Sequence, residues 1–225
     1  METLRKHLSR DTSLYVLEFL INGKADDYIS FTLDDIKALK NKITRWGSCL
    51  EHAIKIGDME IIHYVEKYLL DAFLWKDCMK DAADVNNLDL VKYCESRAIM
   101  LTKKKKLDSK EWLFCVWHAA SRGHLDIVEY AWSRGAKCSA ICMYEASWGG
   151  YLDVVKYAES VGAINFGECI EVASERGHLN VIKRFWKKCN NMDLREQCRH
   201  NAESRDYEEM LEYIELHYYG HYSSF

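Results

Sequence analysis

Nine cysteines and nine histidines in a chain of 225 residues are the side chains best suited to chemistry, and together they suggest zinc binding. Structural zinc needs close ligand pairs, typically about two to four residues apart. Six of the cysteines, Cys49, Cys78, Cys115, Cys142, Cys169 and Cys198, recur instead at spacings of 29, 37, 27, 27 and 29 residues. Carried once per structural unit, they would lie about 10 Å apart, several times a zinc–sulfur bond of about 2.3 Å and too far for a disulfide. Cys49 with His52, and Cys115 with His118, share a helix face, but the position of those histidines is Asp81, Glu145, Val172 or Asn201 elsewhere. The close pair Cys138 and Cys142 lacks a second pair. The recurring cysteines therefore read as small buried packing residues, and neither metal nor cofactor is expected. Reduced thiols suit an intracellular location.

Catalytic patterns are also missing. The chain has no Gly-rich phosphate loop, nucleophile elbow or HExxH. Asp126 and Asp153 recur at the unit position of Glu60, Asp89 and Asn180, where an acid complements a helix N-terminus. His124 and His178 each follow a glycine and read as turn residues. The expectation is a protein that is not an enzyme.

The elements that carry these residues follow from the repeat, counted from each of the six cysteines. At +4 stand Ala53, Ala82, Ala119, Ala146, Ala173 and Ala202. At +8 stand Gly57, Asn86, Gly123, Gly150, Gly177 and Asp206, types that tolerate the left-handed backbone closing a helix. At +12 and +13 come apolar pairs such as Ile61/Ile62, Ile127/Val128 and Val154/Val155, and at +15 a tyrosine in five units of six. These offsets predict two short helices joined by a tight turn. One such hairpin cannot bury its own apolar face, so the units must stack side by side in an all-α solenoid.

The stretches AASRGHLDIVEYAWSRGA (119–136), ASWGGYLDVVKYAESVGA (146–163) and ASERGHLNVIKRF (173–185) resemble the helix, turn and helix of ankyrin repeats. That resemblance implies ankyrin-like units over 49–218. It departs from the family in length, since units of 27 to 29 residues are shorter than about 33, and in placing cysteine where a Thr-Pro-Leu-His start has proline. The β-turns between units are expected to be shortened or absent. Short, proline-free units of this kind resemble the ankyrin-like proteins of large DNA viruses, which implies action inside an infected cell, or association with a virion.

Residues 1–48 lack the cysteine–alanine signature and read as an N-terminal helical cap or degenerate repeat, with Thr32 and Asp35 starting a helix through about Lys42. A basic insert near 99–110 is expected as a surface loop, with Asp108 or Ser109 capping the next helix. Residues 219–225 read as a tail. The chain has no proline, 31 Lys plus Arg against 35 Asp plus Glu, and a net charge of -4, the composition of a globular chain. No membrane span is expected. Met1 is followed by Glu2, Arg5 and Lys6, and Glu18 interrupts the apolar run Leu14 to Ile21, so no signal peptide is expected either.

Function is then sought at positions that vary between units. At +2 the residues run Glu51, Lys80, Trp117, Tyr144, Glu171, His200, and at +6 Lys55, Asp84, Ser121, Trp148, Glu175, Ser204. Large rings thus replace polar residues only in the two central units. Trp117, Tyr144 and Trp148 are expected on one face, rimmed by His118, Arg122, Glu145 and Arg176, a composition typical of binding hot spots. The competing reading has the rings filling space left by missing β-turns. The leading expectation is a non-catalytic scaffold for a protein partner. Alternatives are a structural subunit of an assembly, and nucleic-acid or acidic-surface binding through Lys103, Lys104, Lys105 and Lys106. The negative net charge and the lack of a second basic block make nucleic acid a weak candidate.

Overall fold

The computed structural model describes residues 32–41, 43, 45–188 and 190–218. The expected degenerate unit before Thr32 and the tail from 219 lie outside the described residues. These form thirteen α-helices and three short 3-10 turns, with no strand among them. The chain divides into two compact units that meet in sequence at Lys106 and Leu107.

In the first unit, α1 (Leu33–Leu39) precedes two hairpins, α2 (Trp46–Ile56) with α3 (Met59–Val65), and α4 (Ala72–Asp84) with α5 (Leu88–Thr102). Thr32 and Asp35 cap α1 reciprocally: Thr32 N–H donates to Asp35 Oδ2 at 2.8 Å and Asp35 N–H to Thr32 Oγ1 at 3.3 Å. The helix stops at Leu39, short of the expected end, because Lys40 and Asn41 are exposed and bury nothing that would extend it.

The second unit holds four hairpins: α6 (Leu113–Arg122) with α7 (Leu125–Ser133), α8 (Ser139–Gly149) with α9 (Leu152–Ser160), α10 (Phe166–Arg176) with α11 (Leu179–Phe185), and α12 (Met192–Ser204) with α13 (Glu208–Tyr218). The first helices pack in series, α6 on α8, α8 on α10 and α10 on α12, and so do α7, α9 and α11. Short links, 134–138 and 161–165, join successive hairpins without strands.

Every landmark of the repeat has a steric reason. The six marker cysteines and the six +4 alanines are buried. All six +8 residues are left-handed, with φ between 56° and 80°, including the non-glycines Asn86 and Asp206. In each hairpin the +9 N–H then donates to the +4 alanine carbonyl at 2.8–3.0 Å, closing the first helix. The +4 alanine therefore serves twice, its methyl permitting close helix packing and its carbonyl taking the capping bond.

A second recurring pair lies within the hairpins. Trp75 meets Tyr93 edge-on at 5.9 Å between ring centroids, and Trp112 meets Tyr130 at 6.0 Å. These tryptophans sit at -3 and the tyrosines at +15, so each ring pair ties the start of a first helix to its second helix.

The insert is shorter than expected. Residues 99–102 continue α5, because Ile99 and Leu101 are half-buried and prolong its apolar face. Lys103, at φ 52°, ends the helix, and Asp108 N–H donates to Glu111 Oε2 at 2.6 Å where the next turn begins.

Candidate functional site

The first helices of the second unit present matching positions side by side. The +2 column runs Trp117, Tyr144, Glu171, and the +6 column Ser121, Trp148, Glu175. Trp117 is 41% exposed and Trp148 40%, while Tyr144 is half-buried. Each tryptophan is thus partly covered and partly open to solvent. Among the described residues no ring contact joins Trp117 to Tyr144 or Trp148, so the three form a row across two helices and not a stacked cluster. Trp117 lies instead against His118, at 5.4 Å between centroids, and Phe114, at 6.1 Å.

The charged rim divides. Arg176 places its guanidinium 4.1 Å from the Trp148 ring centroid, linking α10 to α8 by a cation–π contact. His118 and Glu145 occupy the +3 column and are half-buried. Arg122 is exposed at the end of α6. Burial, then the carboxylates Glu145, Glu175, Glu171 and Glu168, push the Tyr144 hydroxyl above its usual range, so acid surrounds that ring.

Two members of the face were missed by the +2 and +6 columns. Phe114 is 53% exposed and Ile141 40%. Both stand at -1, where the other units carry Ser48, Asp77, Glu168 and Gln197, so the same polar-to-apolar contrast would have revealed them. Positions -1, +2 and +6 recur at three- and four-residue steps and so share one helix face. Ile141 also lines a hollow of about 330 Å³ between the starts of α6 and α8, with Leu113 and Ala140 inside and Lys110 and Lys137 at its edge.

The side chains that suggested chemistry are differently placed. Burial pushes the thiols of Cys49, Cys94 and Cys142 up to about 12 and those of Cys138 and Cys169 up to about 11. Such thiols stay protonated at neutral pH, whereas electrophiles react with the thiolate. Among the described residues the cysteines are free, and no group of three or more His, Cys, Asp or Glu could hold a metal ion. His178 and Asp126 serve the turns: His178 Nε2 donates to the Trp148 carbonyl at 3.0 Å, and Asp126 Oδ1 accepts from Ile127 N–H at 2.9 Å.

An ionisable cluster in the first unit was not foreseen. Tyr93 donates its hydroxyl proton to Glu66 Oε2 at 2.5 Å, and Arg97 Nε lies 3.3 Å from the same oxygen. His63 Nδ1 is 3.1 Å from the Tyr93 oxygen. Burial and Glu66 both raise the Tyr93 pKa, so its phenol keeps its proton and bridges α5 to the segment after α3. Lys103, Lys104, Lys105 and Lys106 are all exposed. No described helix is long and apolar enough to cross a membrane.

No model of a known protein family matches the chain, and no curated protein matches it with significance.

Proposed function

We propose that the chain is a non-catalytic interaction scaffold, a divergent ankyrin-like solenoid that binds a partner protein on the first-helix face of its second unit. One observation carries this reading: Phe114, Trp117, Ile141 and Trp148 are each at least 40% exposed at aligned positions of two packed helices, where the repeat elsewhere is polar. Exposed aromatic surface costs solubility and is ordinarily kept for contact. Within the second unit the +8 turns and buried alanines fix the first helices, and a preorganised surface loses little conformational freedom on binding. Left-handed turns closing every first helix, and a second glycine turn at Gly135 and Gly162 closing α7 and α9, support the ankyrin-like reading. Buried free thiols support an intracellular setting.

The test compares proteins captured by the full chain with those captured by Trp117→Ala/Trp148→Ala, after circular dichroism has established equal folding. The proposal predicts a partner lost by the variant. Identical captures would contradict it.

A further inference from the structure

The face has two halves. Its apolar half lies on α6 and α8, with Phe114 and Ile141 at -1, Trp117 and Tyr144 at +2, and Trp148 at +6. On α10, which packs against α8, the same three positions are Glu168, Glu171 and Glu175, and Glu145 projects from α8 at +3. Three like charges at three- and four-residue spacing on one helix repel one another, and only Glu168, in the first turn, complements the helix N-terminus. Among the described residues none of these four carboxylates forms a direct ion pair. Glu168 accepts only from Asn165 Nδ2 at 3.1 Å, and Glu171 from Gln197 Nε2 at 3.4 Å. Glu159, on the other side of the same hairpins, makes the contrast, since both Arg184 and Lys188 hold it. Burial first, and then these same four carboxylates, raise the pKa of the Tyr144 hydroxyl. Arg176 has its guanidinium laid on Trp148, and Arg205 Nη1 donates to the main-chain carbonyl of Glu175, not to its carboxylate.

We infer that this face takes a positively charged peptide segment of a partner protein, seating an apolar side chain on Trp117, Tyr144 and Ile141 and Lys or Arg side chains over Glu171 and Glu175. The inference rests on the interaction reading above and adds the chemistry of the partner. Neighbouring helix axes lie about 8–10 Å apart, which sets the separation of the apolar anchor from the cations. An extended segment covers that distance in about three residues and a helical one in about seven. A neutral or acidic segment would leave four carboxylates desolvated without partners, so the same contacts select against it.

Selection from a random-peptide library tests this. The full chain is the bait, and peptides that also bind Trp117→Ala/Trp148→Ala are removed. Retained peptides are expected to carry Lys or Arg about three or seven residues from an aliphatic or aromatic anchor. Their binding should weaken about tenfold or more in Glu171→Lys/Glu175→Lys, and weaken as salt is raised. Retained peptides that are neutral or acidic, and bind Glu171→Lys/Glu175→Lys equally well, would overturn the inference and leave the interaction reading standing. If no peptide distinguishes the wild type from the tryptophan variant, both fall. Sedimentation showing the chain alone dimerising, with the dimer lost in Trp117→Ala/Trp148→Ala, would give the face to a second copy and overturn the inference.

Discussion

His178 donates from Nε2 to the main-chain carbonyl of Trp148 at 3.0 Å, and its ring covers Gly150. A carbonyl only accepts, so the bond fixes the tautomer with the proton on Nε2. The next hairpin repeats the device, with the Tyr207 ring over Gly177 and its hydroxyl donating to the Glu175 carbonyl at 3.4 Å. Trp148 and Glu175 are the +6 residues of the proposed face. These two hairpins thus pin the backbone of their predecessors where the binding side chains leave it.

Gly150→Ala should therefore destabilise the protein on two counts. The new side chain would sit at φ +76°, and its Cβ would lie 2.5 Å from His178 Nδ1. A loss of roughly 1–3 kcal/mol is expected from urea unfolding. His178→Ala removes the hydrogen bond and the clash together, so adding it should make Gly150→Ala milder than in the wild-type background.

Ala146→Leu or Ala173→Leu should cost roughly 1–3 kcal/mol by overpacking. Both alanines have no exposure, and they lie between first helices that pack in series. Unchanged thermal melts would place these residues away from a packed interface.

Glu159 gives the second unit a dependence on acid pH. Burial raises its pKa, but hydrogen bonds from Lys188 and Arg184 outweigh this and hold the carboxyl below its ordinary range. Arg184 Nε and Nη2 both donate to Glu159 Oε2, at 2.9 and 2.8 Å. A group with a lowered folded pKa binds more protons when unfolded, so its stabilisation is full above the unfolded value of about 4.3 and disappears as pH falls through the folded one. Glu159→Gln should lower stability at pH 7 by about 1 kcal/mol or less. The gap from wild type should close in acid.

The buried cysteines should be inert in the native state. Iodoacetamide at neutral pH should modify Cys49, Cys94, Cys142 and Cys169 only after denaturant is added, because each must be exposed and ionised to react. Rapid native labelling of Cys49, Cys142 and Cys169, read by peptide mass spectrometry, would mean the marker positions are not core.

The hairpins were legible in the sequence because their determinants are local. A left-handed residue at +8 and an alanine at +4 are demanded by bonds within one hairpin, so they recur wherever a hairpin forms. Of the Trp75–Tyr93 and Trp112–Tyr130 pairs only the +15 tyrosine was read from the repeat, because the -3 partner varies between units: Ser139 occupies that position before Cys142. The extent of α5 was not legible, since Ile99 and Leu101 prolong a helix only where a neighbouring surface buries them. Of the face, the +2 and +6 rings were readable by contrast between units. Their separation into the Trp117–Phe114 and Trp148–Arg176 groups depends on rotamers, which the repeat does not encode. The roles of His178 and Tyr207 over the preceding glycines likewise needed the relation between hairpins.

Hydroxyl-radical footprinting of the full chain, free and bound to a captured partner or selected peptide, tests the central claim most directly. Oxidation of Phe114, Trp117 and Trp148 should fall on binding, while the exposed Phe73 of the first unit stays unchanged. Protection confined to other residues, with Trp117 and Trp148 oxidised as in the free chain, would contradict the claim.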